Sequence, residues 1–150
     1  MFAEIFCYAK ITPFFPGRIY QTAPKRFFVE KLYRIQLENR EDYLYAFVSG
    51  EYLSASISKQ YWDDIAEECI RLDKTKIMIV KDFAHSVSVT EMYEMGVNLS
   101  KFFETKFIAF IDRRGNPDIN YFGQMVAENR GVNMKVFDSE EAAEKWLSAI

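Results

Sequence analysis

The sequence predicts an α/β fold: a mixed, mostly parallel five-stranded sheet with an N-terminal hairpin and four helices, in the order ββαβαβαβα. Three observations carry this. The runs Ile77-Met78-Ile79-Val80 and Phe107-Ile108-Ala109-Phe110-Ile111 are apolar without alternation, the mark of strands buried on both faces and therefore parallel. Between them Val89, Met92, Tyr93, Gly96, Leu99 and Phe103 recur at helical spacing, so the segment reads as the crossover helix of a βαβ unit. Ahead of them, an alternating run and an aromatic run are separated by a short polar turn.

Taken in order, Lys31 to Leu37 alternates, with Tyr33, Ile35 and Leu37 on one face and Lys31, Arg34 and Gln36 among their neighbours, which predicts a half-buried strand. After the turn Glu38-Asn39-Arg40-Glu41-Asp42, Tyr43 to Val48 is aromatic and β-branched and ends near Gly50, completing a hairpin. Tyr61, Trp62, Ile65, Ala66, Cys69 and Leu72 mark a first amphipathic helix, with Asp63, Asp64, Glu67, Glu68 and Arg71 opposite. The second helix follows the third strand. The third is capped by Asn116, carries Pro117 in its first turn and closes at Gly131 as the C′ residue. Val132 to Phe137 forms the last strand. Asp138 with Glu141 makes an acidic capping box for a final helix that buries Ala142, Ala143, Trp146, Leu147 and Ile150.

A chain of 150 residues is about one domain, and 49% hydrophobic against 27% charged residues excludes disordered and low-complexity architectures. The net charge of -3 argues against a nucleic-acid binder that works by phosphate neutralisation. Cys7 and Cys69 give neither a metal spacing nor a disulfide framework, so a reducing compartment is expected. Residues 1–26 hold three of the four prolines and no clean period; they read as an irregular apolar arm preceding a domain over 27–150. Glu4, Lys10, Pro13 and Pro16 interrupt the arm as a signal peptide, no run is long enough for a membrane span, and a cytoplasmic location is expected. With 17% aromatic residues, the chain has apolar surface to spare for a partner or ligand. Phe2, Ile5, Phe6, Phe14 and Phe15 of the arm are expected to cover an open sheet face, with a homodimer interface as the rival use.

In a largely parallel sheet, ligands gather at the carboxyl ends of strands, where loops and helix N-termini converge. That rim would hold Asp82 and His85 after the third strand, Asp112, Arg113 and Arg114 after the fourth, and Asp138 after the fifth, able to bind a phosphate or a partner's charges. Turn and cap chemistry on solvated loops accounts for the same residues. His85 is the single histidine, and no nucleophile motif, glycine-rich phosphate loop or metal set accompanies it, so neither catalysis nor a cofactor or metal is expected. At the start of the second helix, Ser88-Val89-Thr90-Glu91 has the pattern of a capping box, with Val87 and Met92 as a hydrophobic staple. Phosphorylation there would place roughly two negative charges at a helix N-terminus. Ser86 beside it is less committed to capping.

These residues resemble the STAS domains, the fold of bacterial anti-sigma-factor antagonists and the wider SpoIIAA-like group. The resemblance covers about residues 29–150 and rests on the strand Ile77 to Asp82, the helix start Ser88 to Glu94, and the ending Ala127 to Phe137 followed by Glu-Ala-Ala-Glu-Lys-Trp-Leu. It implies a regulatory module that binds another protein rather than transforming a substrate. In regulatory members a phosphorylatable serine lies in an Asp-Ser-Ser-Gly stretch at the second helix. Ser88 falls on that position, with the Asp, second Ser and Gly absent. The fold also resembles the lipid-binding CRAL-TRIO domains, which implies the alternative of an apolar-ligand carrier.

Overall fold

The computed structural model describes residues 31–99 and 101–150, and residues 31–150 form one compact unit. The predicted arm, and with it the choice between covering a sheet face and pairing with a second copy, lies outside the described residues. The elements are β1 (Arg34–Asn39), β2 (Leu44–Tyr52), α1 (Ala55–Leu72), β3 (Lys76–His85), α2 (Val89–Val97), β4 (Phe107–Asp112), α3 (Pro117–Glu128), β5 (Asn133–Val136) and α4 (Glu140–Ser148), with a 3-10 turn over Lys101–Thr105. The order is the predicted ββαβαβαβα.

The strands lie side by side in chain order, β1-β2-β3-β4-β5, with β1 antiparallel to β2 and every later pair parallel. Because crossovers between parallel strands share one hand, such an order sends successive crossover helices to the same side. Accordingly α1, α2 and α3 contribute Tyr61, Ile65, Met92, Met95 and Ala127 to one core with Leu44, Ile77, Ile79 and Ile108. The opposite face carries Tyr43, Tyr45, Met78, Val80, Ala109 and Ile111, and among the described residues only α4 packs there, through Ala143 and Leu147. The unbroken apolar runs of β3 and β4 thus serve two cores, one on each side of the pleat.

Caps fix most of the element ends. Ser54 accepts from Ile57 N–H at 3.2 Å and starts α1 six residues before the apolar stripe read from the sequence. Asn116 caps α3 as expected, with Pro117 in the first turn. Gly131 has φ +83; its N–H donates to Glu128 O and that of Val132 to Ala127 O, the paired bonds of a Schellman closure. Three expectations are corrected. The second helix does not run to Phe103: it ends at Val97, and the tighter turn over Lys101–Thr105 delivers Phe103 to the core edge-on to Trp62 at 4.9 Å. The cap of α4 is Ser139, which accepts from Ala142 N–H at 3.2 Å, rather than Asp138. β3 extends to His85, so Asp82 and His85 belong to the strand itself and not to a loop after it.

Helices α2 and α3 meet through two glycines. A Cβ at Gly96 would lie 2.7 Å from Val126 Cγ1, and one at Gly123 would lie 2.5 Å from Met92 Sδ. Buried in α1, Cys69 has its thiol pKa pushed up by burial from 9.0 to about 11. Since the unfolded thiol ionises first, its contribution to stability is complete below pH 9.0 and is lost as pH rises towards 11. At pH 8, maleimide labelling of Cys69 followed by peptide mapping is expected to be slow in native protein and complete in guanidinium; rapid native labelling would show that α1 is not packed as described.

Candidate functional site

The rim at the carboxyl ends of the parallel strands is polar, but the pleat divides it. Lys81 is directly opposite Asp112 in the β3–β4 register, and both point to the α1–α3 side. Lys81 Nζ lies 2.8 Å from Asp112 Oδ2, with the two side chains 3% and 5% exposed. Burial pulls the Lys81 ammonium below its ordinary pKa, and Asp112 opposes that shift. Gly115 lies over the pair: a Cβ there would overlap the Asp112 carboxylate and come within 2.7 Å of Asn120 Nδ2. Asp82 projects to the α4 side, where its Oδ1 pairs with Arg114 Nε at 2.7 Å without hydrogen-bond alignment. Arg113 pairs with Glu140 at 2.9 Å and covers the Phe47 ring. His85 stacks on Tyr52 with centroids 4.4 Å apart, its Nε2 3.3 Å from Glu51.

The predicted rim residues are therefore not gathered into one site. Asp82 and His85, three apart on a strand, project from opposite faces and cannot work as an acid–base pair. Asp112, Arg113, Arg114 and Asp82 each have an ionic partner and His85 lies against Glu51, whereas Asp138 is exposed and has no ionic partner among the described residues. Sequence reading missed Lys81, Gly115 and Asn120. A lysine closing the greasy run Ile77 to Val80 was the available signal: a charge on a strand buried on both faces requires a partner.

At the start of α2, Ser88 Oγ accepts from Glu91 N–H at 3.3 Å, while Glu91 Oε2 accepts from Ser88 N–H at 2.9 Å and from its hydroxyl at 2.8 Å. These bonds hold the Glu91 carboxyl below its ordinary pKa, the backbone one foremost. The capping box read from the sequence is present, with Val87 and Met92 buried in the same core as its staple. Replacing Ser88 with Ala is expected to cost about 1 kcal/mol in urea unfolding, and no loss would mean that the box contributes nothing. Ser86 is exposed next to it.

Among solved structures, an anti-sigma factor antagonist from Mycobacterium paratuberculosis matches over 79% of this chain and 97% of its own, with a TM-score of 0.53 and 9% identity. No protein-family profile and no curated protein matches the sequence. The fold is that of an anti-sigma factor antagonist. In this STAS-type fold the serine-bearing turn and the strand tips adjoin: a small depression is lined by Ser86 and Val87 on one side and by Lys81, Asp112 and Asn120 on the other. The outer surface of α2 is exposed at Val89 and Tyr93. Among the described residues no helix is long and apolar enough to cross a membrane, and no three His, Cys, Asp or Glu side chains cluster as a metal site.

Proposed function

We propose that this chain is a non-enzymatic, regulatory protein-interaction module that docks through the start of α2, with Ser88 as its switch and Ser86 as a secondary modification site. The carrying observation is the placement of Ser88 on an exposed helix start beside Val89 and Tyr93, large apolar side chains 54% and 48% exposed. A patch of this kind, rimmed by Glu91 and Glu94, has the character of a protein-docking surface. The likeness in fold to an anti-sigma factor antagonist supports the same reading.

The switch has a local mechanism. Because Glu91 Oε2 lies 2.8 Å from Ser88 Oγ, a phosphate on that oxygen meets a carboxylate at hydrogen-bond distance. Like charges at this range repel, so the box opens and Glu91 swings outward, changing the charge and shape presented to a partner. Rim residues Asp82, Asp112, Arg113 and Arg114 through their ion pairs, and His85 through its stacking on Tyr52, then act as the rigid support behind this surface.

The carrier alternative asks for a cavity of ~300 Å³ or more. The apolar cavity between α1, α2 and α3, lined by Trp62, Met92 and Met134, is about 30 Å³. The geometry therefore favours docking. Affinity capture from the native host with the wild type, Val89→Glu/Tyr93→Glu and Ser88→Asp tests this, alongside mass mapping of phosphate on the native chain. A partner retained by the wild type and lost by both variants is expected. Capture that is indifferent to all three substitutions would remove α2 as the docking surface, and a co-purified lipid would restore the carrier reading.

A further inference from the structure

Away from the α2 surface, we infer that the outer edge of β1 is a self-association surface, on which a second copy of this chain pairs its own β1 antiparallel across a two-fold axis at Gln36. β1 is a border strand of the sheet, and the hairpin fixes its hydrogen-bond parity: Arg40 N–H donates to Tyr43 O at 3.0 Å, and the register sets Asn39 opposite Leu44. Bonded pairs alternate along an antiparallel ladder, so Arg34, Gln36 and Glu38 are the residues that bond to β2. Ile35 and Leu37 turn their N–H and C=O groups outward, where no strand among the described residues meets them. The other border is closed. In β5 the outward N–H of Val136 donates to Gln124 Oε1 at 2.8 Å, that of Met134 turns back to Val132 O at 3.0 Å, and the strand is four residues long. Borders that stay single carry such blocks, or a proline, an inward-pointing charge or a bulge; Arg34–Asn39 has none of these.

The strand complements itself. With the axis at Gln36, Ile35 of each copy lies opposite Leu37 of the other on the α1 side of the sheet, and Arg34 lies opposite Glu38 on the α4 side. Moving the axis one residue either way keeps the backbone parity but sets Arg34 against Gln36 or against Arg40, so charge selects the first register. Arg34 has no ionic partner among the described residues of its own copy. Glu38 accepts from Gln36 at 2.6 Å and from Arg40 at 3.2 Å, and a carboxylate has lone pairs left for a further donor. Along β1 a groove of about 280 Å³ separates the strand from α1, with Ile35 and Leu37 among its lining. Pairing joins the two grooves over the seam and removes these half-buried side chains from water. Of the charges lining the groove, Lys31 is held by Asp64 and Arg71 by Glu68, which leaves only the exposed Glu67 for a foreign strand to read. The palindromic row Arg34, Gln36, Glu38 instead fits a second copy, as a two-fold contact requires.

Sedimentation equilibrium of the full chain and of two charge variants tests this. Arg34→Glu sets carboxylate against carboxylate at both ends of the seam, and Glu38→Arg sets guanidinium against guanidinium. Each variant alone should therefore self-associate about tenfold more weakly than the wild type. An equimolar mixture of the two folded variants restores both opposite-charge pairs and should recover a dimer of wild-type strength. Hydrogen exchange reads the register: protection of the Ile35 and Leu37 amides should rise with protein concentration, while the Gln36 and Glu38 amides, bonded to β2, are protected at every concentration. A wild type that stays monomeric at millimolar concentration, a dimer indifferent to both single substitutions, a mixture of folded variants without recovery, or Ile35 and Leu37 amides whose exchange ignores concentration would overturn the assignment.

Discussion

Substituting Lys81 with Met is expected to destabilise the domain by about 3–5 kcal/mol, because it strands the Asp112 carboxylate in a site closed to water. The side chains of the pair are 3% and 5% exposed, and Phe110 packs its ring 5.3 Å from the ammonium. Removing both charges together, as Lys81→Met/Asp112→Leu, should recover most of that loss, since two apolar side chains of similar volume need no solvation. Urea unfolding of the wild type, both single variants and the double variant closes the cycle. A single-variant loss under about 1 kcal/mol would show that water reaches the pair. The pH dependence has a definite sign. Burial lowers the Lys81 pKa in the folded state, so the unfolded chain holds that proton to higher pH. The wild type therefore gains on the double variant as pH rises through the folded pKa towards 10.5.

Leu147→Ala should cost about 2–5 kcal/mol, and its effect should be concentrated on one side of the sheet. Leu147 and Ala143 are fully buried and are the two wholly enclosed anchors of α4, the one helix on that face among the described residues. Polar ties do not replace them. Lys76 Nζ donates to Leu147 O at 2.8 Å and to Ile150 O at 2.6 Å, and Tyr43 donates to Glu144 at 2.9 Å, but these bonds lie partly in solvent. Hydrogen exchange should show lost protection in α4, with α1 to α3 retaining theirs; a uniform loss over the whole domain would mean that the two cores unfold as one.

The architecture was readable where one pattern had one physical cause. The greasy runs at Ile77 and Phe107 could be satisfied only by burial on both faces, and they pair in parallel as expected. Asn116, Pro117 and Gly131 punctuate α3 as their backbone chemistry requires. Legibility failed where two segments had to be known together. The stripe through Leu99 and Phe103 keeps helical spacing, yet a tighter turn places Phe103 against Trp62, a contact that periodicity does not contain. Ser139 and Asp138 could both cap, and the choice depends on where β5 ends. At the rim, residue types were identified but their sorting was not. Which face Asp82 or Arg113 serves depends on strand parity and on the true ends of β3 and β4.

The strand order has a kinetic consequence. Each described strand lies against the one made just before it, so each of these pairings joins residues at most about 33 apart, and none waits for a distant part of the chain. The hairpin can form first and serve as a template, with the newest strand always supplying the edge that the next one joins. Such a unit can assemble in step with its synthesis, and the core on the α4 side of the sheet lacks Ala143 and Leu147 until that nine-residue helix leaves the ribosome.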